Sequence, residues 1–130
     1  MIPAAPALDS RGLPIGYPYK PEFELTPREV KANLDKKDGK FIVVDVREPH
    51  EWDITHIVGK DLLFPRDQWP QVAAKLRGHE NDTIAIHCRS GARSLQIARL
   101  LRDNGFKNAK SMAGGILLWN KDVNPGGPQY

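Results

Sequence analysis

The sequence predicts a small α/β domain: a central, mostly parallel sheet of about five strands with helices on both faces. Two observations carry this reading. "FIVVDV" (41–46) and "TIAIHC" (83–88) are continuous apolar runs of strand length, the pattern of strands covered on both faces. Helix signals alternate with strand signals along the chain. At 130 residues there is room for one core. A chain of this size buries roughly two thirds of its unfolded surface and needs no staple.

Residues 1–22 are proline-rich and read as an extended arm or linker; the domain itself spans 23–125, and 126–130 form a tail. Thr26-Pro27-Arg28-Glu29 starts a helix. Thr26 can cap it, Pro27 suits the first helical position, and Glu29 can close a capping box. Val30 and Leu34 give that helix its buried face, and Asp38-Gly39 ends it. The first buried strand follows at 41–46. A short helix is expected over 49–56, then Ile57-Val58, then a strand over 62–64 stopped by Pro65. Residues 68–76 look helical, with Trp69, Val72 and Leu76 on one side. The second buried strand runs over 83–88. Residues 93–104 form a helix in which Ser94, Ile97, Ala98 and Leu101 share one face and Gln96, Arg99 and Asp103 the other. Gly105 is placed to cap it. A last strand is expected at 110–112, and Gly114-Gly115 opens a short helix through Trp119.

Composition excludes several function classes. The net charge is +3, from 19 basic and 16 acidic residues that are interspersed, with no basic run. Nucleic acid is therefore a poor partner. No stretch approaches the ~20 apolar residues of a membrane span, and the N-terminus lacks the pattern of a secretory signal. A soluble, cytoplasmic protein is expected, and Met1 with the Tyr130 ending suggests a complete chain. Cys88 is the only cysteine, which excludes an internal disulfide or a CxxC pair and suits a reducing compartment. His50, His56 and His79 have no ligand spacing, so no metal or other cofactor is expected.

The chemistry gathers at "CRSGARS". Cys88 ends a strand in a sheet whose ligands belong at the carboxyl ends of strands. Four residues lead into the helix, Arg89, Ser90, Gly91 and Ala92, and Arg93 opens it. Helix-start amides are unpaired and, with the helix dipole, attract negative charge. If the loop from Cys88 to Arg93 curls around the sulfur, its amides converge there. Gly91 would permit the turn, and Arg89 and Arg93 add positive charge. That pattern favours a thiolate nucleophile over an inert core thiol. His87 alternates with Cys88 along the strand and should face the other way, which makes it structural.

This loop resembles the active-site loop of rhodanese-type sulfurtransferases, in which a cysteine opens a six-residue loop. "FIVVDVREPHEWDITHIVG", with Asp45, Arg47, Glu48, Glu51 and His56-Ile57-x-Gly59, resembles the family's upstream motif. "MAGGILLW" resembles its downstream one. Lys60 departs from the small residue usual there, a matter of packing. The nearer resemblance is to rhodanese domains fused behind adenylating enzymes of sulfur-carrier pathways, through "GGILLWNKDVNPGGPQY" and its final Pro-x-Tyr. No nucleotide-binding motif is present, so only the sulfur-handling module carries over.

The resemblance implies a Cys88 persulfide. A donor such as thiosulfate would supply the sulfur, and cyanide, a thiol or a sulfur-carrier protein would accept it, with an adenylating enzyme as a further partner. Loop residues Arg89 to Ser94 would bind the anionic sulfur, and Arg93 would meet the donor's sulfonate oxygens. Asp45 and Arg47 read as structural support. Two rival readings stand beside this one. A cysteine phosphatase would need five residues between cysteine and arginine, where this chain has four, Arg89 to Ala92. A non-catalytic binding module of the same fold would keep the loop without using it.

Overall fold

A computed structural model describes residues 7–36, 40–57 and 61–128. Its elements run β1 (Glu24–Leu25), α1 (Pro27–Lys36), β2 (Phe41–Asp45), α2 (Pro49–Ile54), β3 (Asp61–Leu63), a 3-10 turn (Arg66–Gln68), α3 (Trp69–Lys75), β4 (Thr83–His87), α4 (Ala92–Asp103), β5 (Ala109–Met112), α5 (Gly115–Leu118) and a π turn (Trp119–Val123). The five strands form one sheet in the order β1-β5-β4-β2-β3, and every neighbouring pair is parallel. Among the described residues, no helix is long and apolar enough to cross a membrane.

The buried strands sort their side chains by alternation, as the pleat requires. Val44, Ile84, Ile86 and Cys88 face one layer, with Val72 and Leu76 beside α3 and Ile97, Ala98 and Leu101 on α4. Val43 and Ala85 face the other layer, with Val30 of α1 and Ile116 of α5. The four α4 residues expected on one face, Ser94, Ile97, Ala98 and Leu101, are its buried ones. Local signals also act as read. Thr26 Oγ1 accepts the Glu29 N–H at 3.1 Å while Glu29 Oε1 accepts the Thr26 N–H at 2.9 Å, closing the box that starts α1. The predicted stop at Asp38-Gly39, together with Val58, Gly59, Lys60 and Tyr130, lies outside the described residues.

The strand order places the site. The chain moves outward from β1 through β2 to β3 and returns through β4 to β5. The connections after β2 and after β4 therefore leave in opposite directions, and a crevice opens between the two carboxyl ends. Asp45 and His87 stand paired in register at that edge, and Cys88 follows directly.

Two features differ from the expectation. β1 was not foreseen: it is two residues long and pairs with β5 at the sheet edge. The arm is a larger correction. Residues 7–22 do not trail as a linker. Leu13 is fully buried with Ala113 and Leu118, and Leu8, Tyr17 and Tyr19 pack around them. The apolar side chains between the prolines have a surface to cover, and burying one stabilises by about 1.5–3 kcal/mol.

Candidate active site

Cys88 lies at the foot of a loop that turns from β4 into α4. The N–H of Gly91 donates to its Sγ at 3.1 Å and that of Ser94 at 3.4 Å. Gly91 reaches this position at φ +108°, open to glycine. Ser94 Oγ lies 3.4 Å from the sulfur, 2.7 Å from Ser111 Oγ and 3.2 Å from the Gly91 carbonyl. When Ser111 donates to Ser94, the Ser94 proton is left for the carbonyl or for the sulfur. A sulfur that receives two N–H groups, at the N-terminus of a 12-residue helix, sits where negative charge is stabilised. Arg89, Ser90 and Ala92 form the exposed lip above it. Cys88 itself is only 1% exposed, so a reactant reaches it through that lip.

Arg93 is placed differently from the expectation. Its two terminal nitrogens fork onto Glu51 of α2, at 2.9 Å and 3.0 Å, instead of standing open for a donor's oxygens. The cause is burial: Glu51 is 4% exposed, and a carboxylate so enclosed requires a cation. Chiefly through the hydrogen bonds from Arg93, Glu51 is held down at about 2 from an ordinary 4.5. The same hydrogen bonds raise Arg93 above its usual value. Glu51 Oε1 also accepts the Glu48 N–H, closing the capping box of α2.

Asp45 and Arg47 build the support beneath. Both are fully buried. Asp45 accepts the Arg47 amide at 2.9 Å and the guanidinium at 2.8–3.1 Å. Arg47 then donates to the carbonyls of Glu51 and Thr55, fixing the start and end of α2. His87 stands on the sheet face opposite Cys88, with Nε2 4.0 Å from Asp45 Oδ2.

The loop is gripped from behind as well. At the start of α5, the N–H of Ile116 donates to the Cys88 carbonyl at 2.9 Å, and that of Leu117 to the Arg89 carbonyl at 3.1 Å. The approach is so close that a Cβ at Gly115 would lie 2.3 Å from Arg89 O. The structure thus brings Cys88, Gly91 and Ser94 around one atom, and Arg93 beside them through Glu51. The residue list drawn from the sequence omitted Glu51, Ser111 and Gly115 from the site. Glu51 and Gly115 stood inside the quoted motifs. Ser111 is a polar residue at an inward position of an otherwise buried strand, a signal that was available.

A family profile described as "Rhodanese-like domain" matches residues 26–122. The probable adenylyltransferase/sulfurtransferase MoeZ of Mycobacterium tuberculosis is 34% identical over 101 residues, 78% of this chain and 25% of its own length. The adenylyltransferase and sulfurtransferase MOCS3-2 of Zea mays is 34% identical over 111 residues, 82% of this chain and 23% of its own. This chain thus spans about a quarter of those relatives. Among solved structures, a rhodanese-like domain protein from Staphylococcus aureus superposes with a TM-score of 0.63 at 26% identity, covering 75% of this chain and 90% of that one.

Proposed function

The chain belongs to the rhodanese-like domain family, and from that premise we propose that it is a sulfurtransferase working through a Cys88 persulfide. The Cys88 thiolate attacks the outer sulfur of a donor such as thiosulfate. The donor's S–S bond breaks, sulfite leaves with the bonding pair, and Cys88 carries the extra sulfur as a persulfide anion. A nucleophile then takes that terminal sulfur and returns the thiolate; with cyanide the product is thiocyanate. This is two-step covalent catalysis with ping-pong kinetics. The observation that carries the reading is the aim of the Gly91 and Ser94 amides at Sγ, which favours the anion in both steps.

Within this reading Cys88 is the catalytic residue. Arg89, Ser90 and Ala92 line the approach, and Gly91 and Ser94 bind the sulfur. Arg93, engaged by Glu51, orients the loop and lends its charge, while Asp45 and Arg47 support it. The two relatives that carry both activities in their names suggest a sulfur-carrier protein as acceptor and an adenylating enzyme as partner. The lone thiol suits the cytoplasm.

Intact mass after mixing with thiosulfate tests the proposal. The wild type should gain one sulfur atom, removed by cyanide or dithiothreitol, and Cys88→Ser should gain none. A wild type that never gains sulfur from thiosulfate or from a persulfide donor would defeat it. The competing reading, a binding module that keeps the loop unused, is favoured by the 1% exposure of Cys88, and it expects that negative result. A phosphatase is disfavoured by the four-residue spacing to Arg93 and by the commitment of that guanidinium to Glu51.

A further inference from the structure

The N-terminal segment is seated where it bears on the nucleophile. Leu8 and Pro14 meet in an antiparallel bridge. Asp9 accepts the amides of Arg11 and Leu13 at 2.8 and 3.1 Å, which closes the turn. Leu13 is thereby driven to full burial against Ala113 and Leu118. Gly12 slots beside the Arg28–Asp122 ion pair so closely that a Cβ there would lie 2.5 Å from Asp122 Oδ2. Further along, the Tyr17 hydroxyl donates to Glu24 Oε2 at 2.6 Å, and Glu24 is 3% exposed. The Tyr17 ring packs against the Leu13, Ala113 and Leu118 cluster.

The corner they press on, residues 113–118, is the one that grips the catalytic loop. Its Ile116 and Leu117 amides hold the Cys88 and Arg89 carbonyls. Its Gly114 nitrogen faces Gly91, where a Cβ would lie 3.4 Å away. Gly91 in turn gives the nearest amide to the sulfur. Burial first, and then Glu24, hold the Tyr17 phenol above its usual range.

We propose that Leu13 and Tyr17 are positioning residues for Cys88, and that the N-terminal segment is part of the sulfur-handling site. The segment acts through the corner. Leu13 wedges Leu118, Tyr17 packs on the same cluster and is tied to Glu24, and together they set where the loop carbonyls are pulled and so where its amides point. The proposal rests on the sulfurtransferase reading for what Cys88 does, while the seating of the sulfur is measurable without it.

The test uses the full chain as wild type, Leu13→Ala, Leu13→Met and Tyr17→Phe, each first shown to unfold cooperatively. The readouts are the second-order rate of Cys88 alkylation by iodoacetamide at pH 7, and kcat and KM for transfer from thiosulfate to cyanide. Leu13→Ala should slow alkylation about three- to tenfold and lower kcat by a similar factor, since small misplacements at a reacting centre are costly. Its KM for thiosulfate should stay within about twofold, the signature of an interaction lost in the reacting state. Leu13→Met should restore both rates. Tyr17→Phe, which keeps the ring and loses the hydroxyl bond to Glu24, should slow alkylation in the same sense. Wild-type alkylation and kcat in folded Leu13→Ala would overturn the proposal; if that variant does not fold, the same result in Tyr17→Phe would do so. A wild type that alkylates readily yet transfers no sulfur would defeat the sulfurtransferase reading and leave alkylation to decide this one.

Discussion

Adding one methyl group behind the nucleophile should damage both stability and chemistry. Gly115 sits at φ +62°, and a Cβ there would lie 2.3 Å from Arg89 O, 2.5 Å from Arg89 C and 2.6 Å from Cys88 O. All three are backbone atoms of the Cys88 loop, so no side-chain rotation relieves the contact. Ordinary contact needs ~3.5 Å, so α5 and the loop must part by roughly 1 Å. That movement strains the Ile116 and Leu117 bonds to the loop carbonyls, each worth about 1 kcal/mol. Overpacking adds about 1–3 kcal/mol, and a left-handed alanine adds ~1 kcal/mol. The expected loss for Gly115→Ala is about 3–5 kcal/mol, which is large against the ~5–15 kcal/mol of a typical domain. At roughly 3–4 °C per kcal/mol, Tm should fall by about 10–20 °C. Gly105→Ala is the internal control. Its φ is +98°, yet nothing lies within 4 Å of the added Cβ. It should cost only ~1–2 kcal/mol of backbone strain and leave the loop untouched. Thermal melting followed by circular dichroism, with the rate of persulfide formation from thiosulfate, measures both effects. A Gly115→Ala protein that melts no lower than Gly105→Ala, or that forms persulfide at the wild-type rate, would refute the claim that α5 positions the loop.

Two further substitutions probe the support on the other side. Asp45→Asn leaves the buried Arg47 guanidinium without its counter-charge, and denaturant unfolding should show a loss of about 3–5 kcal/mol. Glu51→Gln keeps the shape of the side chain and removes the charge facing Arg93. The folded Glu51 titrates at about 2 against an ordinary 4.5, so its contribution is complete above 4.5 and is lost as pH falls toward 2. The stability gap between wild type and Glu51→Gln should be on the order of 2 kcal/mol at pH 7, discounted because Arg93 is partly exposed. It should shrink steadily below pH 4.5 in urea titrations, and a gap that stays constant to pH 3 would assign the effect to something other than this carboxylate.

Local order was legible in the sequence, and docking was not. The buried strands were legible because 41–46 and 83–88 are continuous apolar runs covered on both faces, Val43 and Ala85 in one layer and Val44 and Ile86 in the other. The face of α4 was legible through its 3.6-residue period. β1 carries two residues, too few for any period. The arm misled because proline content reports local stiffness and says nothing about what Leu13 meets a hundred residues later. The active site divides along the same line. The amides around Cys88 come from Gly91 and Ser94, within six residues of it, and the turn chemistry pointed to them. The partner of Arg93 stands 42 residues away in sequence and that of Ser94 stands 17 away, contacts that one sequence does not encode as a pattern. Arg93 was therefore assigned to an outside anion when an internal one was waiting.

That reassignment changes what the loop is for. A six-residue loop with polar groups pointing inward is unfavourable by itself, since its own carbonyls compete for its amides and a guanidinium competes with those amides for the sulfur. Here each competitor is engaged elsewhere. The Cys88 and Arg89 carbonyls face the amides that open α5. The Gly91 carbonyl accepts from Ser94 and lies 3.4 Å from the Ser111 hydroxyl. The Arg93 fork is closed by Glu51, and Glu51 is fixed because Asp45 holds Arg47 and Arg47 holds both ends of α2. With those contacts satisfied internally, the Gly91 and Ser94 amides remain for the sulfur before any reactant arrives, which is the condition for dipoles to stabilise an anion without reorganising. In the proposed sulfurtransferase, burial of Cys88 would act in favour of the chemistry: the low-dielectric floor strengthens each donated hydrogen bond, and the second sulfur, about 2.05 Å beyond the first, would carry the reactive atom outward toward the exposed lip.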